Sequence, residues 1–492
     1  MQMPVLARID AYPYRHRLAE VMTAPVVTAP GDQSLGEAAG LMDRLAISSL
    51  LVTDPVSGAV AGIVTERDVL RAVARRGAAA LAEPLSAFMS GPVQGLPGDR
   101  FVYQALGRMD RLGVRHLAVT DGRGRPVGIV TARSFLRQRA GEALALGDRI
   151  QVAEDAAGIA AVRNRLPDLA AALAAEGVPA LDTAAVIAEL LRDMTARAAE
   201  LAEREVTAAR GPAPAPWCVL VLGSAGRGET LLAFDQDNAL IHAGDDADDA
   251  WYADMAERMV ALLDAGGVPR CRGGVMASNP AWRHSAAGWR GIVEHWVNAA
   301  RPQDLLEVDV FFDLHPVHGD RDFAESLRRD ALTHARDVGF LKNLGAQLDA
   351  ASPPLTILGR LRTEEGRVDL KLGALWPVAA AARVLALRHG VTATGTMARL
   401  ERLACLGVLA EGDRADLQGL YAMAARLVLD QQVADARVGV VPSPRIDPTR
   451  LDRATRRRLC DALRIVGRLA DVVRDGLVAV RMSDAVPVAP RP

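Results

Sequence analysis

The chain has 492 residues, 50% hydrophobic, 24% charged and 4% aromatic, with 58 basic against 60 acidic side chains and a net charge of −2. The length suggests about three domains, and the near-neutral balance lacks the basic excess of a nucleic-acid binder, so no nucleic acid is expected as a partner. Four scattered cysteines, Cys218, Cys271, Cys405 and Cys460, form no Cys-x-x-Cys pair; a zinc site or disulfide framework is not expected, and the pattern fits a reducing cytoplasm. The stretch Met1–Glu20 has no apolar core of signal-peptide length. The longest apolar run, Gly373–Leu387, carries Arg383, so no membrane span and a cytoplasmic location are expected.

In chain order, a short extension over 1–17 precedes an internal repeat over 18–142. Met42–Leu70, "MDRLAISSLLVTDPVSGAVAGIVTERDVL", aligns with Met109–Leu136, "MDRLGVRHLAVTDGRGRPVGIVTARSFL". Each copy reads helix, strand, turn, strand, helix. Ser34-x-x-Glu37 is a capping box before the first copy. From 147 to 210 the pattern is helical, with Ile187, Leu190, Leu191, Met194, Ala198 and Leu201 on one stripe. "RGPAPAPW" (Arg210–Trp217) then breaks the helix.

The segment 211–322 opens on "WCVLVLGSAGRGETLLAFDQDNALI", Trp217–Ile241. It reads as a strand, a glycine turn and a second strand holding Asp235 and Asp237. Residues two apart in a strand project to the same side, so the two carboxylates repel and raise each other's pKa. A divalent cation relieves that repulsion, and Mg²⁺ characteristically combines carboxylates with substrate phosphates. Gly223 permits close backbone approach to a phosphate, and Ser224 and Arg227 add donors. Glu229 either orients Arg227 or is a surface acid. Helices are expected around Trp251–Ala265 and near Trp289–Ala299. The run "LLEVDVFFDLHPVHG" reads as a strand with Asp309 and Asp313 on one face; Asp313 is preferred as the third carboxylate and Asp309 is its substitute. In the loop Cys271–Trp282, Asn279 either meets a base or ribose or serves the loop itself. His315 and His318 read as ordinary loop histidines. Segment 323–480 is almost wholly helical, a bundle, followed by a tail over 481–492. Within the bundle Lys371 and Arg383 either face the site and bind phosphate or acceptor, or pair and snorkel on a helix surface.

"GSAGRGE…FDQDNALI" resembles the nucleotidyltransferase core of the DNA polymerase β-like superfamily. Within it, this block, "CRGGVMASNPAW", "FFDLHPVHGD" and "GRVDLKLGALWPVAAAARVLALRHG" are similar to bacterial nucleotidyltransferases related to the protein-PII uridylyltransferase. The resemblance implies a multidomain α/β plus α chain. It also implies Mg²⁺ (or Mn²⁺) on Asp235, Asp237 and Asp313, with Asp313 helping to deprotonate the attacking hydroxyl. Ser224 and the amides near Gly223 would hold the phosphates of an NTP. The acceptor is open, a PII-type regulatory protein being suggested by kinship. Ala225 and Phe234 depart from the family pattern. "GIVTERDVL" and "GIVTARSFL" in the repeat resemble paired CBS domains. That implies a regulatory AMP or ATP contacted by Thr65, Asp68 and Thr131, and a homodimer. Thr65-x-x-Asp68 equally fits a helix cap, and the second copy has Ser134 where the first has Asp68. The reading that results is a ligand-regulated nucleotidyltransferase. Its rivals are a nucleotide sensor without catalysis and a phosphohydrolase using the same metals on water.

Overall fold

The computed structural model describes residues 16–131, 146–245, 249–299 and 305–479. The chain divides into two compact units, 1–144 and 145–492.

In the first unit the repeat is visible strand by strand. One copy gives β1 (Thr28–Pro30), helix α1 (Leu35–Arg44), β2 (Ser49–Thr53), β3 (Val60–Thr65) and α2 (Glu66–Arg76). The other gives β4 (Gly95–Pro97), α3 (Val102–Leu112), β5 (His116–Thr120) and β6 (Pro126–Thr131). Each makes a three-stranded sheet whose first pair is parallel and second antiparallel. The expected capping box is present: the Ser34 hydroxyl accepts from Glu37 N, and the Glu37 carboxylate accepts from Ser34 N. The helix expected after the second copy, with Ser134, lies outside the described residues.

The copies exchange their leading segments. Thr23 and Ile129 trade backbone hydrogen bonds of 2.9 and 3.0 Å, and Ser90 and Ile63 trade two of 2.9 Å. Leu18 and Val21 therefore complete the core of the second copy, while Leu85 joins that of the first. Met22 lies on Gly128 and Met89 on Gly62, where a Cβ would come within 2.4 and 2.6 Å of the sulfur. A larger residue there would displace the methionine side chain packed on it.

The second unit is built on a four-stranded sheet, order β10-β7-β8-β9. Its strands are β7 (Trp217–Val221), β8 (Asn238–His242), β9 (Arg283–Ser285) and β10 (His315–Gly319). β7 is antiparallel to both neighbours, and β9 runs parallel to β8. β7 and β8 are buried along their whole length, as expected of strands covered on both faces. Helix α4 (Ala180–Arg210) carries the anticipated stripe and packs on α5 (Asp249–Ala265) and on β10. The run expected to be one strand divides instead: Leu305–Phe311 is helical, and β10 begins only at His315. Asp309 and Asp313 stand four residues apart, a spacing that aligns side chains on a helix as well as on a strand. His315 and His318 are strand residues; His318 sits 2.8 Å from Glu203 and packs on Trp217.

The helical segment continues the same unit. Helices α6 (Trp376–Arg388), α7 (Thr396–Cys405) and α8 (Glu411–Arg437) share one hydrophobic core with the sheet, from Leu220 and Ile241 to Leu385 and Leu420. Among the described residues no helix is long and apolar enough to cross a membrane.

Candidate functional site

The glycine turn and the acidic pair meet at the ends of β7 and β8. Asp235–Asp237 leads directly into β8, which starts at Asn238. Gln236 turns inward, its Nε2 donating to the carbonyls of Val260 (3.1 Å) and Val268 (2.9 Å). The flanking aspartates are thereby turned to the other side together. Carboxylate oxygens of Asp235 and Asp237 and the Cys271 sulfur lie within 4.8 Å of one another. The turn itself, a single helical turn over Gly223–Arg227, is locked to this pair: Leu222 N donates to the Asp237 carbonyl at 2.9 Å. Gly223 has φ +57°, and a Cβ there would stand 2.7 Å from Asp237 Oδ2. Only glycine tolerates both the left-handed backbone and the close approach.

Burial raises the Asp237 pKa to about 6, helped by the charge of Asp235 and opposed by Cys271, Lys371 and Arg227. Burial, with Asp237 adding to it, pushes the Cys271 thiol up to about 11. A protonated thiol is a poor ligand for a hard cation. The donor set therefore fits Mg²⁺ held by Asp235 and Asp237 with substrate phosphates supplying the rest. The sign of the stability effect follows. The folded pKa lies above that of an ordinary aspartate, about 4, so the ionised Asp237 disfavours folding above pH 6, and that penalty disappears as pH falls below about 4. Asp237→Asn is expected to raise the thermal midpoint of the metal-free chain at pH 7.5, by up to about 3 kcal/mol in stability, and to leave it unchanged at pH 4. Thermal scans at the two pH values check this.

Asp313 does not join the acidic pair. It is fully buried and enclosed by three guanidinium groups: Arg227 Nη1 at 2.6 Å, Arg383 Nη2 at 2.6 Å and Arg399 Nη1 at 2.7 Å. Burial would raise its pKa, but Arg383, Arg399 and Arg227 outweigh that and hold it well below the usual carboxylate range. It is therefore no proton acceptor at neutral pH, and its oxygens are already occupied. The expected third metal ligand is corrected on this ground. Asp309, the substitute, is bonded at 2.5 Å to Arg383 Nη1 and is equally withdrawn. Arg383 is corrected with them: it is 2% exposed and spends its guanidinium on Asp309 and Asp313, leaving nothing for a nucleotide.

Arg227 is bound on two sides, by Glu229 at 2.8 Å and by Asp313. Glu229 does orient Arg227. Its carboxylate also accepts from the Tyr421 hydroxyl at 2.7 Å, the Thr396 hydroxyl at 2.9 Å and the Thr396 amide, fastening the turn to α7 and α8. Three arginines thus face three acids, Arg383, Arg399, Asp309 and Asp313 buried and Arg227 and Glu229 nearly so. The Asn279 carboxamide is used within its own loop, Nδ2 donating to Gly274 O at 3.0 Å and Oδ1 accepting from Ala281 N at 3.1 Å. Ser224 is half-buried, 3.4 Å from the Thr230 hydroxyl. Lys371 is exposed, and its charge acts on Asp237.

In the other unit Asp68 Oδ2 accepts from the Thr65 amide (3.0 Å) and hydroxyl (2.7 Å), a completed cap on α2. Thr131 ends β6 opposite His116, whose ring nitrogen lies 3.2 Å from the Ser48 hydroxyl of the first copy.

Several residues had no signal in the sequence. Arg192 on α4 holds the turn from below, donating to the carbonyls of Ala225 (2.8 Å) and Gly226 (3.0 Å). Arg399, Thr396 and Tyr421 come from helices far along the chain. Cys271, one of the scattered cysteines, stands beside the acidic pair. Gly226 is the tightest point: a Cβ there would fall 1.9 Å from the Asp313 carbonyl oxygen. Gly226→Ala is expected to displace the turn or prevent folding, a cost of about 3 kcal/mol or more on the scale of severe overpacking, checked by thermal unfolding of the purified variant.

Comparison with known families agrees with this geometry. The model described as "Putative nucleotidyltransferase DUF294" matches residues 164–303, and its companion, "Putative nucleotidyltransferase substrate binding domain", matches 338–476. The CBS domain model matches 18–75 and 85–141. The chain belongs to the CBS-containing DUF294 nucleotidyltransferase family. Curated relatives match about a quarter of this DUF294 chain. An uncharacterized 17.7 kDa protein of Acidianus ambivalens is 31% identical over 121 residues, 25% of this chain and 71% of that protein. Inosine-5'-monophosphate dehydrogenase of Mycobacterium leprae is 34% identical over 119 residues, 24% of this chain and 21% of the enzyme. The chain thus spans about a fifth of that dehydrogenase's length. Among solved structures, a CBS-domain protein of Agrobacterium tumefaciens is 35% identical, covering 25% of this chain and 90% of its own, with a TM-score of 0.23. A CBS domain protein of Pyrobaculum aerophilum complexed with AMP is 27% identical over 25% of this chain and 94% of its own, TM-score 0.24.

Proposed function

We propose that the chain transfers a nucleoside monophosphate from an NTP to an acceptor hydroxyl, with release of pyrophosphate. The observation that carries this is the convergence of Asp235 and Asp237 on one spot, with Gly223 backed against Asp237 so closely that a Cβ would meet its carboxylate at 2.7 Å. When bound there, Mg²⁺ supplies charge stabilisation on the transferring phosphoryl group. The chain's own residues do the rest. Asp235 and Asp237 hold the cation. Gly223 and Ser224 present a turn without bulk to the phosphates. Lys371 brings positive charge to the same place. Arg227, Glu229 and Asp313 position the turn and touch no substrate. The test is incubation of the full chain with α-labelled ATP or UTP, Mg²⁺ and cell lysate. A labelled acceptor and released pyrophosphate are the expected result; nucleotide binding without either product favours the sensor, and release of free nucleoside monophosphate favours the hydrolase.

The regulatory part of the proposal rests on the CBS resemblance and on Thr65 and Asp68 at the start of α2. An adenosyl ligand has to share Asp68 with the cap that the residue already completes. Isothermal titration of AMP into the full chain is expected to show saturable binding, weakened in Asp68→Ala. An unchanged isotherm in that variant removes Asp68 from the site.

A further inference from the structure

Buried acids elsewhere in the second unit are neutralised by arginine: Asp309 and Asp313 by Arg383, Asp435 by Arg367. The acidic pair is treated differently. Among the described residues neither Asp235 nor Asp237 forms an ion pair, although both are half-buried; the charges of Lys371 and Arg227 reach Asp237 from farther off. Acids withdrawn from water and left without a cationic side chain are the usual surroundings of a metal ion. What stands against them is a thiol: the Cys271 sulfur and an oxygen of each carboxylate lie within 4.8 Å of one another.

The thiol is held there by the backbone on both sides. Upstream, Gln236 N donates to the Pro269 carbonyl at 2.9 Å, and the Gln236 carboxamide donates to that of Val268 at 2.9 Å. Downstream, Asn238 N donates to the Val275 carbonyl at 3.1 Å, and Asn238 Oδ1 accepts from Ala277 N at 2.8 Å. The residues flanking Asp237 thus grip the segments flanking Cys271. Between these anchors the chain turns tightly: Gly274 N donates to the Cys271 carbonyl at 3.1 Å, with Gly274 at φ +75°. The amides of Gly273 and Val275 hydrogen-bond the sulfur, and the thiol hydrogen-bonds the Asp237 carboxylate. Outer partners of this kind orient and steady a metal ligand.

We propose that Asp235, Asp237 and Cys271 together form a site for a thiophilic divalent cation of the zinc class, which competes with Mg²⁺ for the acidic pair. The two carboxylates alone suit a hard ion; one added thiolate moves the donor set toward softer metals. Three protein ligands leave the fourth position of a tetrahedral ion open. On binding, the sulfur–hydrogen bond breaks and the sulfur lone pair forms the bond to the metal. The proton passes to solvent, since a coordinating thiol is deprotonated outright. No electron is exchanged. The competition with Mg²⁺ rests on the metal assignment made above; the binding of the softer ion does not.

The probes are Cd²⁺, Zn²⁺ and Mg²⁺, each added to the metal-free full chain. Cd²⁺ is expected to produce an ultraviolet thiolate-to-metal charge-transfer band that saturates at one equivalent and is removed by Zn²⁺. The band should be absent in Cys271→Ser and in Asp235→Ala/Asp237→Ala. Cys218, Cys405 and Cys460 are present in all three proteins, so the difference between them is what counts. By calorimetry, Cys271→Ser should bind Zn²⁺ about 100-fold more weakly or worse, since losing a ligand exceeds losing its outer support, and should bind Mg²⁺ as the wild type does. In the wild type itself, Zn²⁺ should slow alkylation of Cys271, read by the mass of its peptide, and Mg²⁺ should not. An equal band in Cys271→Ser, unchanged Zn²⁺ affinity in that variant, or alkylation indifferent to Zn²⁺ overturns the proposal. A Cys271-dependent band in a chain that binds neither Mg-ATP nor Mg-UTP sinks the transferase reading and leaves the thiophilic site standing. Nucleotidyl transfer without such a band does the reverse.

Discussion

Asp313→Ala is expected to unfold the larger unit or bring it close to unfolding. The substitution leaves Arg227, Arg383 and Arg399 opposed only by Asp309 and Glu229, all of them buried or nearly so. Removing one partner of a buried ion pair costs about 3–5 kcal/mol, because the remaining charge is stranded away from water. Here one carboxylate serves three cations, so the upper end is expected. Asp313→Asn keeps the volume and one acceptor oxygen but not the charge, and should fall between alanine and wild type. Adding Arg399→Met to Asp313→Asn restores the charge balance. It should recover about 1 kcal/mol or more relative to the sum of the single changes, the size of coupling found between contacting charged residues. Thermal or urea unfolding of wild type, Asp313→Ala, Asp313→Asn, Arg399→Met and the double variant reads this directly. If Asp313→Ala melts with the wild type and instead weakens Mg²⁺ binding, the carboxylate belongs at the metal after all.

Asp235→Ala/Asp237→Ala should behave in the opposite way. The fold should survive and gain stability in the absence of metal, since the mutual repulsion of two half-buried carboxylates disappears. Nucleotidyl transfer should fall by about 10³-fold or more, comparable to the loss of a main electrostatic contributor to a transition state. Pyrophosphate release and calorimetric titration of Mg²⁺ check the two halves of this expectation. Retained transfer would place the chemistry elsewhere. The contrast is diagnostic: Asp313 variants lose the fold, and the Asp235/Asp237 pair loses the reaction.

That contrast also marks how far the sequence could be read. The acidic pair and its turn were legible because everything they need is local. Gly223, Ser224, Asp235 and Asp237 fall within one strand-turn-strand unit, and a spacing of two residues suffices to bring the acids together. The repeat was legible from its two matching blocks, and the Ser34 and Thr65 caps from their three-residue spacing. The role of Asp313 was not, because its partners come from residues 227, 383 and 399, brought together only by tertiary folding. The alternation of Val308, Asp309, Val310 and Phe311 imitated a strand in what proved a helix. Asp309 and Asp313 stayed on a common side under either period, so the residue pattern gave no warning. Cys271 gave none either: a lone thiol 34 residues beyond Asp237 has no periodic relation to it. The short ladder Val368–Asp369 with Arg445–Ile446 likewise joins segments that no single window contains.

The exchange of leading segments in the first unit has its own outcome for how this protein can be dissected. Leu18 and Val21 are borrowed by the downstream copy, and Leu85 and Ser90 are lent back to the upstream one. A truncation through residue 84 would strand two apolar side chains and strip Ile63 of its neighbour. The pair is therefore one cooperative object wearing a duplicated sequence, and it must be inherited, expressed or deleted whole.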